Sequence, residues 1–283
     1  MRTTIDSYKA RAGRLDLDGI EFGDFRDQPL APDALRSLRY MHDIEHHTVC
    51  YLRDLLLTPA HRDPAITSFL SCWAYEEMWH GEAMAAVLEA HGEVAGAPRV
   101  AALRQGHRRR QAVRTMSTIA SAAFAGKAFV ALHMTWGAIN EWTTQAGYAR
   151  LSETSGHPTL REILRRIMRQ EGTHIDFYAS EAACRLAASP KAQRLTRFAL
   201  SHWWRPVGSG VMPKKEVGFL VKLPLRRPER TGDPRTDRPS RGPPARPAGP
   251  APPPARSGEP CRDLATSGPF CLVDPVTVLT LTP

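Results

Sequence analysis

Apolar residues recur at spacings of three and four along four long stretches of the chain, and most of these stretches are bounded by a start or stop signal. Pro32-Asp33 opens the first, in which Leu35, Leu38, Met41 or His42, Glu45, Val49, Leu52 and Leu56 share one stripe before Thr58-Pro59 stops it. Asp63-Pro64 opens the second, with Phe69, Leu70, Trp73, Glu77, His80, Met84, Val87 and Leu88 on its stripe and His91-Gly92 at its close. The third runs from about Ser117 to Ser152 and aligns Val130, Met134, Gly137, Glu141, Thr144, Tyr148 and Leu151. Pro158 heads the fourth, which aligns Leu160, Ile163, Leu164, Ile167, Glu171, His174, Tyr178 and Ala182. Pro190 begins a shorter helix to Trp204, where Trp203 and Trp204 are expected to cover one end. The pattern predicts an all-α four-helix bundle with a short C-terminal helix.

The stretches between and around these helices divide the 283 residues further. Residues 1–31 mix Gly, Asp and Arg with isolated Phe22 and Phe25 and read as an N-terminal arm lying against the bundle, with no chemistry assigned to it. Ala95 to Arg114 reads as a long connection whose basic run, Arg104 to Arg110, is a solvated, irregular or helical connector, or a surface for an acidic partner. The bundle domain is assigned to 32–222. Residues 223–283, rich in Pro, Arg and Gly, cannot bury enough apolar surface to offset their ordering entropy and are expected to be disordered.

The net charge of +9 argues for no nucleic-acid partner once it is divided: residues 1–213 hold 26 Lys and Arg against 22 Asp and Glu, and residues 214–283 hold 12 against 7. No apolar run reaches the length of a membrane span or signal peptide, so a cytoplasmic location is expected. The five cysteines form no Cys-x-x-Cys pair, which removes a rubredoxin-type iron centre, and Cys50, Cys72 and Cys184 read as reduced core thiols.

Glu45, Glu77, His80, Glu141, Glu171 and His174 do not belong on apolar stripes unless they are paired or bind a metal. Glu77 and His80 stand three apart, so on a helix they project from one face, and Glu171 and His174 repeat the spacing. A single Glu-x-x-His is weak, since about 0.6 are expected by chance in this composition. Two copies with two further Glu residues on separate helices make the ligand set of a carboxylate-bridged dinuclear site. In that set Glu77 and Glu171 bridge, His80 and His174 bind one ion each, and Glu45 and Glu141 are terminal. One imidazole per metal among hard carboxylates predicts two iron ions, with manganese the alternative. Glu76 and Glu82 flank the motif as outer or solvated groups, and Gly137 reads as a close-packing position or as room for a ligand beside the metals.

Glu76-Glu77-Met78-Trp79-His80-Gly81, Glu141-Trp142-Thr143-Thr144 and Gln170-Glu171-Gly172-Thr173-His174 resemble the corresponding runs of the soluble acyl-acyl-carrier-protein desaturases, members of the ferritin-like superfamily. The resemblance covers about residues 32–205. It implies a ferritin-like bundle, non-haem iron, dioxygen as oxidant, a ferredoxin-like electron donor, an acyl carrier protein or acyl substrate, a homodimer through bundle faces, and a catalytic role for Thr144 beside the metals. Gln170 stands where that family has Asp, and Gly172-Thr173 replaces Lys-Arg, which puts the acyl substrate in question. The favoured reading is an oxygen-activating di-iron oxidoreductase of desaturase or hydroxylase type, with an elongated apolar cavity ending at the metals. An iron-handling or peroxide-removing ferritin-like protein is one alternative, and a non-catalytic helical interaction protein with a structural metal is another.

Overall fold

The computed structural model describes residues 4–222, apart from the Arg108 side chain, and the expectation of a disordered 223–283 tail lies outside the described residues. Two short helices, α1 (Ile5–Lys9) and α2 (Asp24–Asp27), precede α3 (Pro32–Leu56). A 3₁₀ turn (Pro59–Arg62) leads to α4 (Pro64–Ala90), followed by α5 (Gly96–Ala125), α6 (Ala128–Ser155), α7 (Pro158–Ala187), α8 (Pro190–Trp203) and α9 (Lys214–Lys222). No strand occurs among the described residues, and the fold is an all-α bundle.

Proline supplies the first residue of α3, α4, α7 and α8, where its missing N–H costs nothing. The preceding side chains cap three of these helices: Asp63 accepts from the amides of Ala65 and Ile66, His157 from Leu160, and Ser189 from Ala192. Helices α3 and α4 pack as one hairpin, and α6 and α7 as another. Contacts along the hairpins fix their relative direction. Arg185 pairs with Asp63, His174 with Glu76 and His80 with Gln170, so α7 runs antiparallel to α4.

The connection between the hairpins corrects the sequence reading. Residues 96–125 form one 30-residue helix, and the third helix of the bundle begins at Ala128 instead of Ser117. Gly126, at φ 59°, breaks what the Ala-rich sequence makes look continuous. Helix α5 lies alongside α3 and parallel to it, because the Gly96 amide donates to His42 Nε2, Arg99 grips Asp43, Arg104 reaches the His46 carbonyl, and Thr115 donates to Asp54. The basic run is therefore helical. Val49 and Leu56, placed on the core stripe of α3, are exposed, and so is Trp203, which is 57% accessible and packs edge-on against Phe198, while Trp204 is buried.

Two apolar clusters fill the bundle. One contains Leu38, Met41, Met84, Leu88, Tyr148 and Ile167, and the other contains Leu55, Phe69, Leu70, Met134, Phe177 and Tyr178. On all four helices the polar stripe residues fall between the members of these two clusters. A polar layer thus lies between two apolar ones, with each half of the core anchoring one side of it.

Gly137 is a packing position. A Cβ there would stand 2.5 Å from Cδ1 and 2.7 Å from Cζ of the Tyr178 ring, so the missing side chain is what lets α6 and Tyr178 meet. The N-terminal arm does lie on the bundle: Tyr8, Leu15, Phe25 and Leu30 are buried in it, and Arg14 sits over the Trp79 ring at 4.2 Å. Among the described residues Cys50 is a buried free thiol and Cys72 a half-buried one. Among the described residues no helix is long and apolar enough to cross a membrane.

Candidate metal centre

Glu45 on α3, Glu77 and His80 on α4, Glu141 on α6, and Glu171 and His174 on α7 are all buried in the central layer. They fall into two groups of four whose ligand atoms lie within 4.8 Å of one another: Glu45, Glu77, His80 and Glu171, and Glu77, Glu141, Glu171 and His174. Each group could hold a metal ion, and the two share Glu77 and Glu171. The i, i+3 spacing creates this overlap by putting one carboxylate and one imidazole of the same helix face into the same layer.

Distances within the layer are short. His80 Nδ1 stands 3.3 Å from Glu77 Oε2 and 3.3 Å from Glu171 Oε1, while His174 Nδ1 stands 3.2 Å from Glu77 Oε1 and 3.0 Å from Glu171 Oε2. Yet His80 Nδ1, Glu77 Oε1 and Glu171 Oε1 are fully buried and lack the alignment of a hydrogen bond. Buried polar atoms left this way are costly. His174 Nδ1 is hydrogen-bonded to Glu171 Oε2, but His80 Nδ1, Glu77 Oε1 and Glu171 Oε1 converge without such a bond, which fits a cation placed among them. The charges fit as well, since four carboxylates neutralise two divalent ions.

In the protein alone the layer balances itself by holding protons. Burial, then the charge of Glu77, raises the Glu45 pKa well above the ordinary carboxylate value, and burial with the charges of Glu171 and Glu77 does the same to Glu141. Burial would also raise Glu77 and Glu171, but hydrogen bonding from Glu45 and the facing imidazoles holds Glu77 well below its usual value, and His174 and His80 hold Glu171 below its own. Burial would lower His80, but Glu171 and Glu77 push it up to about 9, and Glu171, Glu76 and Glu77 outweigh burial to raise His174 well above its ordinary value. The surroundings thus favour the proton on Glu45 and Glu141 and the charge on Glu77 and Glu171, the two carboxylates that both ligand groups share.

The carboxylates of Glu45 and Glu141 and both histidines are held from outside the layer. The Tyr148 hydroxyl donates to Glu45 Oε1, and Trp73 Nε1–H donates to Glu141 Oε1 at 3.0 Å. His174 Nε2 meets Glu76 Oε2 at 2.9 Å, and His80 Nε2 meets Gln170 Oε1 at 2.9 Å. With the outer nitrogens engaged, both Nδ1 atoms face inward, the arrangement that orients metal-binding histidines. Sequence reasoning placed Glu76 among outer or solvated groups, and it is fully buried. Gln170, a departure from the desaturase pattern in the sequence, faces His80, and the Tyr8 hydroxyl donates to Glu76 from the N-terminal arm, where the sequence carries no signal of it. The one available signal was that Glu76 and Gln170 each directly precede a motif Glu.

Thr144 is not in this cluster. It lines a largely apolar cavity between α3, α6 and the C-terminal segment, together with Met41, Ile44, Gly147, Trp204 and Leu220, and Glu45 forms part of the same wall. The neighbouring histidines of α3 are engaged elsewhere: His42 bonds Asp43 and Gly96, and His46 packs against Gly81. No protein-family model, curated protein or solved structure matches the chain.

Proposed function

We propose that the protein is an oxygen-activating oxidoreductase with a ferritin-like bundle and two iron ions, manganese being the alternative, and that it acts on an apolar substrate in the manner of a desaturase or hydroxylase. The observation that carries this reading is the pair of ligand groups sharing Glu77 and Glu171. The chemistry that two redox-active ions would supply there, if bound, is the two electrons needed to reduce dioxygen to a hydrogen-abstracting oxidant. Glu77 and Glu171 would be shared between the two ions, with His80 and Glu45 holding one and His174 and Glu141 the other.

The remaining roles belong to the protein's own residues. Met41, Ile44, Trp204 and Leu220 exclude water from the cavity and hold an apolar chain with one end at Glu45. Thr144, in the same wall, holds or passes a proton at its hydroxyl. Tyr148, in the apolar cluster that also contains Met41, fixes the Glu45 carboxylate. A ferredoxin-like donor and an acyl carrier protein are acidic partners, and the exposed Arg109 and Arg110 on α5 offer them complementary charge.

The test combines metal analysis with oxygen consumption by the reduced protein. About two irons per chain and oxygen uptake that both vanish in Glu77→Ala/Glu171→Ala support the reading. Bound metal that is inert to oxygen in the presence of reductant and fatty-acyl substrates overturns it.

A further inference from the structure

The N-terminal arm touches the candidate metal centre, although nothing in its sequence marks it for chemistry. The Tyr8 hydroxyl donates to Glu76 Oε2 at 2.5 Å, the same oxygen that meets His174 Nε2. The Gly13 amide donates to Glu76 Oε1 at 3.2 Å, the Gln170 amide group donates to that oxygen at 3.3 Å and to the Gly13 carbonyl at 3.0 Å, and the Gln170 carbonyl faces His80 Nε2. One closed network therefore runs from both histidines outward to the backbone and side chain of residues 8–13. Tyr8 is anchored by ring contacts with Phe69 at 5.0 Å and Phe177 at 5.8 Å.

From this juxtaposition, and resting on the metal reading above, we infer that residues 8–13 form a clasp that sets the affinity of the centre: Tyr8 and Gly13 are positioning residues that fix His174 by way of Glu76 and His80 by way of Gln170. Partners that orient a metal-binding histidine ordinarily account for about 10–100-fold in affinity. Linkage makes the effect reciprocal, so a metal that binds more tightly with the arm docked also holds the arm down by the same factor. The two ions respond unequally to loss of the Tyr8 hydroxyl, because Glu76 Oε2, the oxygen that Tyr8 holds, bonds His174 directly, whereas His80 is reached only through Gln170.

The test uses cobalt(II) as the probe, with its visible spectrum as a readout independent of activity. In the full chain, Tyr8→Phe keeps the ring contacts and removes the hydroxyl. The expected result is a two-phase titration in which one ion per chain binds about tenfold or more weakly with an altered spectrum, while the other is unchanged. Trypsin provides a measurement on the unsubstituted protein: cleavage after the exposed Arg11 and Arg14 slows when cobalt is added. A folded Tyr8→Phe with unchanged affinities and spectrum overturns the clasp alone, as does cleavage indifferent to bound metal. Failure of the unsubstituted protein to take up any metal overturns the metal reading and the clasp together.

Discussion

Gly137→Ala tests how tightly the polar layer is held by its apolar neighbours. The added methyl would stand 2.5 Å from Cδ1 and 2.7 Å from Cζ of Tyr178 and closer still to Cε1. Carbon atoms in ordinary contact are about 3.5–4.0 Å apart, so the ring has to retreat by about 1 Å. It has nowhere easy to go, being fully buried with Phe69 at 4.7 Å and Trp73 at 5.8 Å on its edges. Overpacking of this kind costs about 1–3 kcal/mol, and a rigid ring in a closed site belongs at the upper end. Replacing a mid-helix Gly by Ala returns about 0.5–1 kcal/mol, which leaves a net loss of about 2 kcal/mol. For a domain of this size that lowers Tm by about 4–8 °C. Displacement of Tyr178 also presses on Trp73, whose indole holds Glu141, so metal affinity falls with stability. Thermal melts of Gly137→Ala, Tyr178→Leu and the double variant give the coupling: the double variant is expected to be more stable than the sum of the single losses predicts. A neutral or stabilising Gly137→Ala refutes the packing argument, because helix propensity alone would then decide.

Glu45→Ala and Glu77→Ala separate terminal from shared ligands: the first is expected to reduce bound metal from two ions per chain to about one and the second to remove both, as read by mass spectrometry of dialysed protein. Trp73→Phe leaves Glu141 Oε1 without its donor, and a loss of about 1–3 kcal/mol in denaturant unfolding is expected. Asp63 both caps α4 and pairs with Arg185 at 2.5 Å. Burial would raise its pKa, but Arg185 and the amides of Ile66 and Ala65 outweigh it and hold the carboxyl below its ordinary value. Its stabilisation is therefore complete above the unfolded value of about 3.9 and disappears as pH falls through the lower folded value. Asp63→Ala should cost about 1 kcal/mol at pH 7, with the difference from the unsubstituted protein shrinking below about pH 4 in urea melts. A pH-independent difference would remove the ion pair from the account.

Helix starts were legible because Pro32, Pro64, Pro158 and Pro190 are local signals read within one turn. The six convergent residues were legible because carboxylates and imidazoles on an apolar stripe have few inexpensive explanations. Helix α5 was harder: its exposed, Arg-rich face gives no apolar stripe, and its partner on α3 is the polar row His42, Asp43 and His46, which carries no hydrophobic periodicity. Gly126 lies within an Ala-rich stretch, where a lone Gly reads as tolerated although it ends a helix. The arm was opaque for a different reason. Tyr8 meets Glu76 across 68 positions, and such contacts depend on the fold of both partners. Trp203 and Trp204 were paired in the reading, yet successive helix-end residues point apart, and only Trp204 turns inward.

Under the proposed reading, one buried layer would hold two ions between Glu77 and Glu171. Anomalous diffraction from crystals of the iron- or manganese-loaded protein tests it most directly. The account predicts two peaks per chain, about 3.5–4 Å apart, with Glu77 and Glu171 between them, one beside His80 and the other beside His174. A single peak, or peaks beside other residues such as His42 and His46 with the central layer empty, would contradict it.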